Sequence, residues 1–291
     1  MKSPLVSALI TVYNRDRYLA AAVDGVLAQT MQDFEVIIVD DGSTDGSVEI
    51  AQNYAAREAR IRFFRNERNL GDYPNRNRAA SVASGRYLKY VDADDIVYPH
   101  CLQTMVEGME KCPEAALGLA WSVLDPPQPY PFMSSPAEVY RAHYLGRSLL
   151  GVGPSAAIIR RDAFEAVGGF TGRQFVGDSE LWLKLAARWP LVSLPPSLVW
   201  WRRHEGQQMT LEKSKPEVLD ARFKLERSVL AMDNLLSDAD KILAQRRLCQ
   251  HHARRLLSLG IRSRQPAQAW WLFRESGIGL RGLLRGFRRY Q

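Results

Sequence analysis

A chain of 291 residues, 46% of them hydrophobic, can bury a core of its own, which excludes a disordered protein. Three scattered cysteines (Cys101, Cys112, Cys249) without a Cys-x-x-Cys pair exclude a disulfide framework and a zinc site, and neither a signal peptide nor a run of 18 apolar residues is found, so a reducing cytoplasm fits best. The net charge of +7 is uneven: residues 1–110 hold 12 Lys/Arg against 16 Asp/Glu, and residues 111–291 hold 27 against 16. The basic end suits an anionic partner, a membrane surface or nucleic acid, with solvated helix faces as the competing account.

Residues 5–13 (LVSALITVY) are a short apolar, β-branched run, as a buried parallel strand requires. Asn14 and the charges after it break that run, and Leu19, Val23, Val26 and Leu27 then fall at helical spacing within 18–30. A second buried strand covers 34–39 and ends at Asp40 and Asp41, followed by a helix over 47–57 and a strand over 61–65. Gly and Pro make 69–74 a loop, and a helix over 75–84 is closed by Gly85 as a C′ glycine. Residues 86–91 (RYLKYV) form a fourth strand that ends in Asp92, Asp94 and Asp95. Regular strand–helix alternation predicts a doubly wound α/β domain, whose ligands bind outside the carboxyl ends of the strands.

Those ends carry polar residues: Thr11, Tyr13 and Asn14, then Asp40 and Asp41, then Asp92 and Asp94. Neither GxGxxG nor GxxxxGK[ST] is found, so a dinucleotide fingerprint loses its support and a P-loop is excluded. Period-two alternation puts Asp92 and Asp94 on one side, where they repel unless a cation sits among them. Hard oxygen ligands suit magnesium or manganese, which in turn would hold a diphosphate. The competing account is an Asp-rich turn with Asp95 as the N-cap of the next helix.

Beyond Pro99 a helix is expected over 100–112; residues 115–124 stay open between strand and helix, and the proline-rich 125–131 is loop. A helix capped by Ser135 runs to 145, a loop enters a strand over 151–160, and a short helix covers 161–167 before the glycine-rich 168–177. Residues 178–188 are a clear helix with Leu181, Trp182 and Leu185 as its packed stripe and Asp178 at its start. After the extended 191–201, helices are expected over 216–236, 237–259 (Ser237 as N-cap) and 266–274.

Read together, TVYNR (11–15), the stretch from 29 to 47 with DDGS, NLGDYPNRNRAASVASG (69–85), YVDADD (90–95), VGGF (167–170), GDSELWLKLA (177–186) and WWRRHEG (200–206) resemble a family 2 glycosyltransferase of the GT-A fold. The resemblance covers about residues 5–210. It implies a Rossmann-like mixed sheet flanked by helices in a domain of residues 1–215, with a nucleotide-sugar-binding half (1–110) and an acceptor-binding, catalytic-base half (111–215). Residues 216–291 then form a basic helical C-terminal extension. The implied reaction moves a sugar from a nucleoside diphosphate to a hydroxyl of a glycan or lipid-linked acceptor, with inversion, with Mn2+ or Mg2+ bridging the diphosphate.

By the same resemblance, Thr11 and Tyr13 line the base pocket, and Arg15 belongs to the same nucleotide-binding motif. Asp41 accepts from the N3–H of a uridine- or thymidine-type base, and Arg76 with Asn77 reaches back toward the nucleotide. Asp94 is the direct metal ligand, Asp92 the acid near ribose and metal, and His204 a further metal or diphosphate contact. Asp178 is the catalytic base, because a single in-line displacement needs one carboxylate to take the acceptor proton while the metal neutralises the leaving diphosphate. Plain structural accounts compete: a turn for Asp40, helix surface for Arg76 and Asn77, a helix cap for Asp178, a structural histidine for His204. Gly177 departs from the pattern, since many members carry an acid before the base. Trp200 and Trp201 either stack on a sugar or pack as core, with core favoured for one.

Residues 277–291 alternate leucine with arginine. As a helix they would set Leu280, Leu283, Leu284 and Phe287 on one face, flanked by Arg281, Arg285 and Arg288, which suits an interfacial helix on an anionic leaflet. Peripheral attachment to the inner face of the cell membrane, in cell-surface polysaccharide assembly, is the expectation. A sugar nucleotidyltransferase would open with a glycine-rich basic signature where TVYNR stands. A nucleic-acid-binding protein would not place carboxylates at successive strand ends, so no nucleic-acid partner is expected. A catalytically inactive nucleotide-binding scaffold remains a live alternative at this level.

Overall fold

The computed structural model describes residues 3–121, 128–204, 215–232 and 234–287, with only the backbone for 285–287. Residues 125–127 of the proline-rich loop, Arg288, and the side chains of Arg285 and Phe287 lie outside the described set. The chain divides into two compact units. The first runs to Pro136 and adds Leu149–Arg173 and Gly177–Arg202; the second holds Ala137–Ser148, Gln174–Val176 and Arg203 onward. The second unit therefore begins earlier than residue 216 and recruits a helix from the middle of the chain.

In the first unit the elements follow as β1 (Val6–Val12), α1 (Asp16–Leu27), β2 (Phe34–Asp40), α2 (Ser47–Arg57), β3 (Ile61–Arg65), α3 (Asp72–Ser81) and β4 (Tyr87–Asp92). After them come β5 (Ile96–Val97), α4 (Cys101–Glu110), β6 (Leu117–Ala120) and β7 (Phe132–Ser134). Helix α5 (Pro136–Leu145) lies almost wholly in the second unit. The first unit resumes with β8 (Ala157–Arg160), α6 (Arg161–Ala166), α7 (Gly177–Ala186), β9 (Leu191–Leu194) and β10 (Val199–Trp200). Eight strands form one mixed sheet in the order β3-β2-β1-β4-β8-β6-β9-β7, and β10 pairs with β5 in a small second sheet. β1 lies parallel between β2 and β4, and β8 turns the sheet antiparallel against β4.

The inner strands are buried on both faces, which is why they read as continuous apolar runs rather than alternating ones: Ala8, Leu9, Ile10 and Val36 to Val39 have no exposed surface. The register sets Thr11 beside Val39 on one neighbour and beside Asp92 on the other. The carboxyl ends of β1, β2 and β4 therefore finish level.

Several local expectations change in three dimensions. The helix expected from residue 75 starts at Asp72, after Gly71 adopts a φ of 92° that a side chain resists. Gly85 is not its C′ residue, since the helix ends at Ser81; a Cβ at Gly85 would lie 2.5 Å from the Ser7 backbone nitrogen, so the glycine is there to let β1 and β4 meet. Residues 117–120 resolve as strand because β8 and β9 flank them. Asp95 caps no helix: α4 starts after His100 without a side-chain cap. Leu181, Trp182 and Leu185 are buried as expected, but Trp200 and Trp201 are both exposed, so neither is core.

The second unit is helical: α5, then α8 (Pro216–Met232), α9 (Asp238–Leu257), a π-turn over Ser258–Arg262, α10 (Pro266–Ser276) and α11 (Gly279–Phe287). Ser237 caps α9 by accepting from Asp240 N–H at 3.1 Å, as its sequence position predicts. Leu256, Leu259 and Leu272 form its small core. His143 bridges Ser148 (2.7 Å) and Glu226 (2.8 Å), tying α5 to α8.

Candidate active site

The level carboxyl ends of β1, β2 and β4 bring together the motifs that the sequence scatters. Asp41 follows β2 with its backbone N–H on the Val12 carbonyl, so β1 fixes its position. Its carboxylate is buried and fully directed: Oδ1 accepts from Asn66 Nδ2 (2.6 Å) and Leu70 N–H (2.9 Å), and Oδ2 accepts from Gly71 N–H (2.9 Å). Two of the four lone-pair positions are spent on Oδ1 and one on Oδ2, which leaves one on Oδ2. Asp40 turns inward; its Oδ2 accepts from Gly42 and Ser43 N–H groups, which makes it the turn residue of the pair.

Tyr13 is exposed at the end of β1, and Thr11 is half-buried one alternation earlier. Asn14 adopts a φ of 51° and accepts from Thr44 N–H at 2.9 Å, lashing the ends of β1 and β2 together. That turn aims Arg15 across the site, where its Nε donates to Asp94 Oδ2 at 3.1 Å. Arg76, on α3, is buried and donates to Asp92 Oδ1 at 2.7 Å and to Asp72 Oδ1 at 2.8 Å. Each carboxylate expected near a metal thus faces a guanidinium.

Asp92 and Asp94 are followed by Asp95, whose Oδ1 accepts from Arg202 N–H at 3.3 Å. Burial first, then repulsion from Asp92, raises the Asp95 pKa above the usual carboxylate range. Asp92 moves the other way, held down by Arg76 against the effect of its burial. Arg202 donates to the Asp94 carbonyl (3.0 Å) and lies over the rings of the exposed Trp200 (4.8 Å) and the half-buried Tyr18 (5.1 Å), so those rings carry a cation beside the carboxylates.

Three residues here escape a sequence reading. Lys89 is fully buried on β4 and donates to the carbonyls of Tyr90 and Ser155. Ser155, brought in by the turn before β8, accepts from Asp92 N–H at 3.0 Å, and its hydroxyl lies by the Asp92 and Asp95 carboxylates. Tyr73 packs against the start of α7. A lysine inside an apolar strand is the one available signal; Ser155 and Tyr73 have none.

Asp178 occupies the first turn of α7, with Oδ1 accepting from Ser179 N–H at 2.7 Å. Asn77 spends both arms of its amide on Phe170: Nδ2 donates to the carbonyl (2.7 Å) and Oδ1 accepts from the N–H (3.0 Å). It therefore clasps the VGGF turn rather than reaching toward β1 and β2. His204 belongs to the second unit.

Among the described residues no cluster of three or more His, Cys, Asp or Glu forms a self-sufficient metal cage. Asp94 (13% exposed) with Asp92 (29%) nevertheless fits a hard divalent ion, which characteristically takes one or two protein carboxylates and completes its shell with substrate phosphates and water. A cavity of about 650 Å³ opens at the opposite, amino ends of the strands, but its arginines are already paired, Arg86 with Glu110, Arg160 with Asp162 and Arg161 with Glu165.

Known proteins resemble this chain in sequence and in fold. Residues 7–168 match the family described as Glycosyl transferase family 2. The glycosyltransferase GlyG of Streptococcus pneumoniae is 38% identical over 109 residues, and the uncharacterized glycosyltransferase EpsJ of Bacillus subtilis is 40% identical over 108. These alignments cover 38% and 37% of this chain, but only 36% and 31% of the relatives' own lengths. Among solved structures, TarS 1–349 of S. aureus in complex with UDP-GlcNAc aligns with a TM-score of 0.70 at 18% identity, over 92% of this chain and 79% of that one. The mannosyltransferase PcManGT of Pyrobaculum calidifontis, in complex with GDP-Man and Mn2+, aligns at 0.66 and 15% identity, over 98% and 86%. At such identity the likeness establishes the GT-A-type fold.

Proposed function

Because the chain belongs to glycosyl transferase family 2, we propose that it moves a sugar from a nucleoside-diphosphate sugar to a hydroxyl of a glycan or lipid-linked acceptor, by single displacement with inversion. The observation that carries this reading is the convergence of Asp41, Asp92 and Asp94 at the level ends of three adjacent parallel strands, with Arg15 and Arg76 among them. Carboxylates alone would repel a diphosphate; carboxylates interleaved with guanidinium groups and open to a hard cation can hold one.

In this reading Tyr13 and Thr11 line the base, and the remaining lone pair of Asp41 accepts its N3–H, which favours a UDP or dTDP donor. PcManGT holds GDP-Man and TarS UDP-GlcNAc, so the base preference here rests on Asp41. A manganese or magnesium ion would be held by Asp94 with Asp92 beside it, and when bound it supplies Lewis-acid neutralisation of the leaving diphosphate. Arg15 and Arg76 bind and orient the anionic donor. Asp178 takes the proton from the acceptor hydroxyl as its oxygen attacks the anomeric carbon.

The acceptor is met, on this proposal, at the inner face of the cell membrane during polysaccharide assembly. Among the described residues no helix is long and apolar enough to cross a membrane. The second unit instead exposes Trp270 (63%), Leu280 (69%) and Leu284 (65%) in a segment, 246–291, with eleven arginines and one acid. The central experiment is thermal-shift titration with UDP, dTDP and GDP, with and without manganese. Manganese-dependent stabilisation by UDP or dTDP is expected, and no stabilisation by any nucleotide would sink the reading.

A further inference from the structure

β4 ends in the acids proposed to hold the metal, yet a neighbouring strand supports that end on one side only. β1 pairs along it as far as Asp92, whereas β8 pairs with it only at Tyr87 and Leu88. Continued unbroken, the antiparallel register would set Ser155 opposite Asp92. The chain instead makes a 3₁₀ turn over Pro154–Ala156, closed by Ala156 N–H on the Gly153 carbonyl at 3.1 Å.

Buried backbone polar groups need partners, and here side chains take the place of the missing ladder. Ser155 Oγ accepts from Asp92 N–H at 3.0 Å. Lys89 Nζ donates to the Tyr90 carbonyl at 2.9 Å and to the carbonyl of Ser155 itself. The carbonyl that a regular strand would have offered to Asp92 is thus held by the lysine, and the hydroxyl stands in for it. Lys89 and Ser155 are both wholly buried, so these bonds do not compete with bulk water.

The same segment is held at its other end from α7. Trp182, also wholly buried, donates its indole N–H to the Val152 carbonyl at 2.9 Å. It lies about one helical turn after Asp178. Asp92 in its turn opens the acidic loop: its carbonyl accepts from Asp95 N–H at 2.9 Å, with Asp94 between them. A short hydrogen-bonded segment therefore runs from the helix that bears the candidate base to the strand end that bears the candidate metal ligands.

We propose that residues 152–156 are a positioning element that sets α7 against the end of β4. Ser155, oriented by Lys89, fixes Asp92, and Val152, gripped by Trp182, fixes the helix. The inference rests on the reading of Asp92, Asp94 and Asp178 as site residues, and its first measurement needs no ligand.

Ser155→Ala removes the hydroxyl and little else, and Trp182→Phe assigns the Trp182 indole proton by its loss. Hydrogen exchange of the folded parent should show both the Asp92 amide and that indole proton as slow. In Ser155→Ala the Asp92 amide should exchange about tenfold faster and the indole, across the turn, about threefold faster, since one hydrogen bond's worth of local protection is lost. Amides of β2 should not change. An indole rate that does not move in a folded Ser155→Ala overturns the coupling to α7.

Manganese titrated in the presence of UDP reads the consequence for the site. Ser155→Ala and Lys89→Met should each weaken ion binding about tenfold, as loss of a group that orients a ligand does. The double variant should bind about as well as the worse single one, because both act through one group. Leu102→Ala, a cavity in the core face of α4, should lower Tm and leave the affinity unchanged. Equal affinity in the parent and Ser155→Ala, or an equal loss in Leu102→Ala, overturns the positioning role. Exchange rates that move as stated in a protein that binds neither manganese nor nucleotide would uphold the tether and count against the transferase reading.

Discussion

Arg76 Nη2 donates to Asp92 Oδ1 at 2.7 Å from a guanidinium that is 8% exposed. The pair links helix α3 to the end of strand β4, and it joins stability to the site. Arg76 also lies over the Tyr90 ring at 5.6 Å, and its carbonyl accepts from Tyr90 Oη at 3.1 Å. Arg76→Met is expected to leave Asp92 without its countercharge and to cost about 2 kcal/mol, below the figure for a wholly buried pair because Asp92 keeps contact with solvent. Urea melts of the two proteins measure it. An Arg76→Met protein as stable as the parent would show that the pair contributes nothing net.

Asp94→Ala and Asp178→Asn should fail differently. The first removes the strongest candidate ligand for the cation, so the manganese dependence of UDP binding disappears. The second keeps nucleotide binding within about twofold and lowers transfer or donor hydrolysis by about 10²–10⁴, the usual contribution of a positioned base. Calorimetric titration with UDP and manganese, alongside turnover, separates them; equal loss of binding in both would dissolve the division of roles.

Gly85→Ala carries a purely structural expectation. The new methyl would sit 2.5 Å from Ser7 N and 2.7 Å from the Val6 carbonyl carbon, both backbone atoms that cannot rotate away. About 2 kcal/mol of destabilisation follows from such overpacking between β1 and β4. Chemical denaturation reads it directly.

His252 gives the second unit an acid sensitivity. The ring is buried, stacked on Phe223 with centroids 4.0 Å apart, and has no hydrogen-bond partner at either nitrogen. Burial and then Arg255 push its pKa down to about 4, with Asp220 opposing. The unfolded imidazole takes its proton near pH 6.5, so between those values the unfolded chain binds more protons than the folded one. Stability is therefore full above pH 6.5 and is lost as the pH falls toward 4, by about 3 kcal/mol at most. The difference between pH 7.5 and 4.5 melts should shrink in His252→Leu; an identical pH slope in both proteins would remove His252 as the cause.

The exposed apolar side chains of the second unit should insert into an anionic bilayer. Sedimentation with vesicles of phosphatidylglycerol, but not of phosphatidylcholine alone, is expected for the full chain, with a blue shift of tryptophan emission. Leu280→Ser with Leu284→Ser should weaken it about tenfold or more, each leucine side chain contributing about 1.5 kcal/mol when buried. Equal sedimentation of the parent and the double variant would place the effect in charge alone, and tighter binding to RNA than to vesicles would point to a different partner.

What could be read from residues in order was the part of the structure that local physics dictates. Runs such as LVSALITVY and FEVIIV can be stable only as strands covered on both faces, and the helices between them follow from apolar spacing, so the α/β alternation and the carboxylates at strand ends were legible. The individual roles of Thr11, Tyr13, Asp41, Asp94 and Asp178 came from a resemblance and remain proposals.

Only the tertiary structure decided who meets whom. Arg15 pairs with Asp94 across 79 positions because β1 lies between β2 and β4, and Ser155 reaches Asp92 across 63 because β8 returns antiparallel beside β4. Gly85 looks like a helix stop in sequence and is a close approach of strands in space. Gly177 looks like a missing acid and is the room that Tyr73 requires. Neither glycine carries a local signal of its purpose, because the atoms that exclude a side chain belong to segments far away in the chain, and only packing brings them within 3 Å.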